Sequence, residues 1–443
     1  MRPFWTLLHR WVGLIIASFL FLTGITGAVI SWDHELDEWL NPHLVEAHSS
    51  GPAQSPLVLA HQIEARHPEI FVRSIPLFVE GGESLAFGVA PRVNPLTGKL
   101  FEPGFNQVFV DPVSGEEFGK REWGAVWPIT KETFVSFLYK LHYTLHVPEI
   151  WGIDRWGMWL LGIIAILWTL DCFVGAYLTL PARRRFQLKA GNKPVDDESV
   201  LNTNVVNTSF WQRWKPAWKI RTRAGTYKLN FDLHRAVSLW AWGILLIVAF
   251  TAFALNLNRE IFLPMMSSFF QRTPTPFDQR QRTPKHELIT PELTFAEIIA
   301  RARADAKNRG WKEPAGNAFY SQNFGIYGVQ FFYPEVDHGT GGAGHKRLYY
   351  DGMDGRYLGD RQPWKGTAAD IFIQAQFPLH SGRILGLSGR ILISVMGLIV
   401  AMLSVTGVVI WWKKREARIK QAAHSMPTTR QQMELTLSEH REN

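Results

Sequence analysis

The sequence predicts an α-helical membrane protein: four transmembrane helices in two pseudo-symmetric repeats, with two small external α+β domains. Three observations carry this. Hydrophobic residues, 46% of the 443, gather into four blocks, Leu7–Trp32, Trp156–Leu180, Ala236–Leu257 and Ile391–Trp412, each about the 20 residues that a helix needs to cross a hydrocarbon core of about 30 Å. A His-Arg pair stands at the mouth of the first and third blocks, in Leu8-His9-Arg10-Trp11 and Leu233-His234-Arg235-Ala236. Long polar stretches with helix, strand and hairpin patterns separate the first block from the second and the third from the fourth.

Taken in order, residues 1–33 form the first helix. Arg2, Arg10 and Thr26-Gly27-Ala28 are features of a cleaved signal, but the block is long for one and its pattern returns at 236–257, so a retained helix is expected. Residues 34–154 form the first external domain, 155–181 the second helix, 182–233 a basic loop, 234–258 the third helix, 259–388 the second external domain, 389–412 the fourth helix and 413–443 a tail. Arg183, Arg184, Arg185 and Lys189 follow the second helix and Lys413-Lys414-Arg415 the fourth, which puts the loop and both termini in the cytoplasm. The external domains then lie outside the inner face, in the periplasm if the membrane is a bacterial inner membrane. The net charge of +8 is mostly this asymmetry. Trp211, Trp214 and Trp218 among Arg213, Lys215 and Lys219 read as an interfacial segment against anionic lipid, not a nucleic-acid surface. Cys172 is the only cysteine, which excludes an intrachain disulfide, a cysteine-held iron–sulfur cluster and covalent c-type haem.

The repeat is visible residue by residue. Aligning His9 with His234 aligns Glu35 with Glu260, and Leu145-His146, Gly152 and Arg155 match Leu379-His380, Gly386 and Arg390. Pro56–Pro68 and Leu293–Trp311 both have helical spacing, with Leu57, Ala60 and Ile63 in one and Phe295, Ile298, Ile299 and Ala302 in the other. Strand-like runs then reach a hairpin in each half, Val110-Asp111-Pro112 before Ser114-Gly115 and Tyr350-Asp351-Gly352 before Asp354-Gly355.

His9-Arg10-Trp11-Val12-Gly13-Leu14, the Thr23–Gly27 run, Asn41-Pro42, the two hairpins and Leu379-His380-Ser381-Gly382 with Gly386 resemble the PepSY-associated transmembrane proteins over nearly the whole chain. The resemblance implies PepSY-like external domains and a kinship with inner-membrane ferric-siderophore reductases of the ferrioxamine type, which serve iron uptake.

Parallel repeats bring His9 opposite His234 near one face of the membrane and His146 opposite His380 near the other. His9 lies some 25 residues, or about 37 Å, from the far end of its helix, so one haem cannot serve both levels. Two b-type haems, ligated through iron by His9 with His234 and by His146 with His380, would make an electron path. Bis-histidine iron has no open site, which suits electron transfer. The competing reading of each histidine is an interfacial anchor. His142 shares a helical face with His146 and has Gln376 in the equivalent place; it can replace His146 as ligand, touch a propionate or face the substrate. Arg10, Arg235, Arg155, Arg383 and Arg390 are candidates for propionates or for lipid phosphate. Gly24, Gly27, Gly162, Gly175, Gly397 and Gly407 allow close approach of a helix or a porphyrin. Asp171 is a costly mid-membrane acid without a visible counterpart. His34, His43, His48, His61 and His67 read as solvated, and Gly339–Gly344 as a flexible loop without P-loop context.

The expected function is an oxidoreductase for electron transport to a periplasmic ferric siderophore or other ferric chelate. Trp123, Trp127, Trp151, Tyr327, Tyr349 and Trp364 would line the chelate surface, anchor the chain at the membrane interface or fill domain cores. Without a G-x-G-x-x-G after a strand, the donor is a quinol or a separate cytoplasmic reductase. The rivals are a non-redox protein whose PepSY-like domains bind peptides or regulate a protease, and a siderophore or iron transporter.

Overall fold

The computed structural model describes residues 1–181, 209–334 and 338–425; the Arg183–Lys189 cluster lies outside them. In chain order the elements are helices α1 (Arg2–Ile30), α2 (Asp33–Leu40), α3 (Pro42–Val45) and α4 (Pro56–Arg66), strands β1 (Ile70–Pro76), β2 (Leu85–Pro91), β3 (Gln107–Val110) and β4 (Glu117–Arg121), and helices α5 (Lys131–Thr144), α6 (Trp156–Thr179), α7 (Phe210–Trp214), α8 (Thr226–Asn256), α9 (Leu263–Phe269) and α10 (Phe295–Asn308). Strands β5 (Ala315–Ser321), β6 (Ile326–Phe331), β7 (Lys346–Asp351) and β8 (Tyr357–Arg361) and helices α11 (Ala368–Ser381) and α12 (Gly386–Ser425) complete it.

Four of these helices, α1, α6, α8 and α12, are long and apolar enough to span a membrane, as the four blocks predict. α1, from Arg2, keeps to its expected range, but α8 begins earlier, at Thr226 rather than at His234, because a helix does not have to stop where its hydrophobicity does. His9 and His234 therefore sit within unbroken helix, where the backbone fixes the direction of each ring.

The described chain falls into two compact units. One comprises residues 25–163 and 250–397. Its strands form a single eight-stranded antiparallel sheet in the order β4-β3-β2-β1-β5-β6-β7-β8. The two strand sets expected to be separate are joined where Ser74, Ile75 and Pro76 of β1 pair with Phe319, Ala318 and Asn317 of β5, which removes two exposed edges. Helix α4 buries Leu59, Ala60 and Ile63 against Ile70, Val72, Phe87, Val89, Val108 and Val110. Helix α10 buries Ile298, Ile299, Ala302 and Ala306 against Ala318, Val329, Phe331 and Leu348. Each fully buried aliphatic side chain contributes about 1.5–3 kcal/mol. Both hairpins close as read: Asp111 Oδ1 accepts from the amides of Val113 and Ser114, each at 2.8 Å, and Asp351 Oδ1 from that of Met353 at 2.8 Å, the side-chain turn that Asp favours.

Helices α5 and α11 each start with a capping box, on Thr130 and on Thr367, and end on a left-handed residue, Leu145 or Gly382. Two ion pairs brace the unit, Arg155 to Glu260 at 2.6 Å and Arg390 to Glu35 at 2.7 Å. The Arg390 guanidinium holds the Glu35 carboxyl down at about 2.

The other unit contains residues 1–24, the described part of 164–249, and the described chain from 398 on. Arg2 donates to the Leu178 carbonyl at 2.7 Å and Trp242 Nε1 to that of Cys172 at 2.9 Å. Asp232, fully buried, receives both Arg221 and Arg235. Trp214 packs against Trp211 and Trp218 with ring centres 5.4 and 5.2 Å away, an aromatic cluster that fits the interfacial reading.

Candidate functional site

Each unit brings together histidines from different helices, and the sheet-bearing unit also sets His34 against His338, ring centres 5.3 Å apart. In the second-described unit, His9 of α1 and His234 of α8 have ring centres 6.4 Å apart, their planes inclined at 60°. His9 Nδ1 lies 2.9 Å from both carboxylate oxygens of Asp171 on α6, a side chain only 10% exposed. His234 Nδ1 lies 3.1 Å from the Leu403 carbonyl and 3.0 Å from Thr406 Oγ1 on α12. A carbonyl only accepts, so this Nδ1 carries the proton and the Nε2 lone pair is left for a ligand bond.

In the sheet-bearing unit, the ring that faces His380 of α11 is His142 of α5, with centres 6.2 Å apart and planes inclined at 55°. This corrects the expected pairing of His146 with His380. Leu145 and His146 both take positive φ, so the chain turns back as α5 ends. His146 stacks on Phe137 at 4.5 Å, and its Nε2 donates to the Phe137 carbonyl at 2.9 Å. Thr26 Oγ1 lies 3.1 Å from His142 Nδ1, and Thr251 Oγ1 lies 3.0 Å from His380 Nδ1.

Two imidazoles that share one metal through one nitrogen each, at about 2 Å per bond, hold their ring centres roughly 6 Å apart. Both pairs have that spacing, and their Nδ1 tethers are the outer contacts that orient a ligating histidine. Glycines seat three of the rings against helix backbone: a Cβ added at Gly27 would stand 2.9 Å from His142 Cε1, at Gly407 3.2 Å from His234 Cε1, and at Gly175 3.5 Å from His9 Cε1. Gly162 instead accommodates Leu257, a packing role.

The candidate arginines separate. Arg235 is tied to Asp232 and to the Pro216 carbonyl, Arg383 to Asp33 and His338, and Arg155 and Arg390 to Glu260 and Glu35. Arg10 lies over the Trp11 ring at 5.2 Å, and its buried Nε has no hydrogen-bond partner, so it suits an added anionic group best. Burial pushes the phenols of Tyr139 and Tyr143, on the His142 helix, up, which keeps both neutral.

Elsewhere, His43 and His67 pair with Glu132 and Glu117, each at 3.0 Å. Among the described residues no group of three or more His, Cys, Asp or Glu side chains is arranged around a metal position. Gly339–Gly344 is folded instead of loose, with the Thr340 carbonyl accepting from Trp364 Nε1 at 2.7 Å. Of the aromatics singled out by sequence, Tyr327 is buried in the core beneath α10, and Tyr349 is buried against Phe277. Sequence reading held His142 only as an alternative to His146, and it missed that Thr26, Thr251 and Thr406 hold rings. The signal was present in part: the displacement from His9 to His234 also separates Thr26 from Thr251.

Four apolar helices, an antiparallel sheet domain and facing histidines define a membrane protein of several spans with a folded domain outside its apolar helices. Residues 6–414 match the family model described as PepSY-associated TM region, and the chain belongs to that family. No curated protein matches it.

Proposed function

We propose that this protein is a di-haem b-type reductase of the bacterial inner membrane that passes electrons across the bilayer to a periplasmic ferric siderophore, releasing iron as Fe(II). The observation that supports it most is the pair of histidine couples with ring centres 6.4 and 6.2 Å apart, three of the four rings tethered through Nδ1 to threonine and one to aspartate. In this reading His9 and His234 hold one haem and His142 and His380 the other. Haem held by these two pairs would supply one-electron carriers.

The chain's own residues do the rest. Leu403 and Thr406 fix the His234 tautomer, Asp171 orients His9, Gly27, Gly175 and Gly407 make room, and Arg10 would pair with a propionate. The halves act as parallel repeats, and the cross-paired Arg155–Glu260 and Arg390–Glu35 bridges, read from the sequence as matching positions, support that. Both termini are cytoplasmic. The donor is a quinol or a separate cytoplasmic reductase, and the acceptor is the Fe(III) of the chelate. One electron suffices, since Fe(II) is a poorer match for hard oxygen ligands, and no bond of the chelator breaks.

The test is an optical spectrum of detergent-purified protein, oxidised and dithionite-reduced, with pyridine haemochrome quantification after haem-replete expression. About two b-type haems per chain are expected. None would overturn the proposal and favour a peptide-binding or protease-regulating role.

A further inference from the structure

The four ring tethers are alike with one exception. Thr26 and Thr251 stand at matching positions and each meets a Nδ1 atom through a hydroxyl. The displacement that relates Arg155 to Arg390 also relates Asp171 to Thr406, and these two tie His9 and His234, the first by a carboxylate and the second by a hydroxyl. Packing does not require an acid here, since threonine fills the matching position on α12. An aspartate in an apolar helix is costly, and both oxygens of this one are directed at a single imidazole nitrogen.

We propose that Asp171 is a positioning residue that makes the His9–His234 site the more electron-donating of the two, and so sets the direction of electron flow towards the His142–His380 site. The inference rests on the haem reading above. A carboxylate that accepts the Nδ1 proton shifts electron density to Nε2 more strongly than a hydroxyl does. The donating ring stabilises Fe(III) over Fe(II) and lowers the reduction potential at His9. An electron leaving Fe(II) there, which becomes Fe(III), moves downhill to Fe(III) at the other pair, which becomes Fe(II). The quinol or reductase refills the first site and the ferric chelate empties the second.

The experiment is a spectroelectrochemical titration of the purified full-length protein and of Asp171→Asn, Asp171→Thr and the exchange Asp171→Thr/Thr406→Asp. Two resolved midpoints are expected in the native protein. Both single variants should raise only the lower one, by at least a tenfold change in the Fe(III)/Fe(II) ratio at fixed potential, about 59 mV for one electron. The exchange should return it, because the carboxylate then ties the opposite ring of the same pair, a recovery that a purely structural role would not give. Unchanged midpoints with haem retained, a shift that the exchange fails to reverse, or haem loss from all three variants would each overturn the inference. Native protein without haem would overturn the proposed function itself, and the haemochrome assay shows that before any potential is measured.

Discussion

The two histidine pairs are built from different parts of the chain. His9 and His234 both project from long apolar helices, α1 and α8. His142 and His380 project from the last turns of α5 and α11, short capped helices that belong with the sheet, and only their threonine tethers come from α1 and α8. Helix packing alone therefore sets the geometry of the first pair, whereas the second depends on how two short helices dock. Local opening is easier for short elements than for long packed helices, so the second pair is the one that events in the sheet domain can perturb.

The sharpest separation of the pairs comes from removing one ring of each. His234→Ala and His380→Ala should each cut the haemochrome yield by about half, and loss of all haem from either variant would break the view that the sites are independent. Next in size is the contrast within α5. His142→Ala should reproduce the His380→Ala spectrum, while His146→Ala should keep the native haem content; the opposite result would restore the pairing first read from sequence.

A graded effect is expected from the glycines, since the added methyl has progressively more room. Gly27→Ala should weaken haem retention at the second pair most, followed by Gly407→Ala and then Gly175→Ala at the first, as the spacings of 2.9, 3.2 and 3.5 Å require. Outer-contact changes at metal sites cost up to about 100-fold in affinity, and competition with apomyoglobin measures this.

The smallest effect concerns the Arg390–Glu35 brace of the sheet-bearing unit. The Arg390 guanidinium depresses the Glu35 carboxyl to about 2, so its stabilisation is fully present above the ordinary glutamate value and is lost as pH falls through about 2. The Glu35 side chain is 51% exposed, which limits the contribution to under about 1 kcal/mol. The melting difference between native protein and Glu35→Gln should therefore be small at pH 6 and vanish towards pH 2, with no change in the haem spectrum.

How much was legible followed the same division. Ungapped helices preserve register, so His9, His234, Glu35 and Glu260 could be matched by counting. The second pair could not. The stretch from Leu145 to Arg155 is longer than that from Gly382 to Arg390, and matching the two Leu-His strings across that gap put His146 in the place of His142. Counting forward from the caps Thr130 and Thr367 instead brings His142 and His380 within one residue of each other. Thr406 was overlooked as the counterpart of Asp171 because a hydroxyl and a carboxylate look unrelated until both are seen to hold a ring. The β1–β5 junction left no local signal, since it joins residues far apart in the chain by backbone pairing.

That junction has a consequence for how the molecule can vary. An interface between two copies of one polypeptide obliges both sides to present identical residues. Here the strands that meet, Ile70–Pro76 and Ala315–Ser321, are segments of a single covalent chain, so dilution cannot part them and each side mutates separately. An aspartate can stand at 171 while a threonine stands at 406, a left-right difference that no symmetric homodimer could encode.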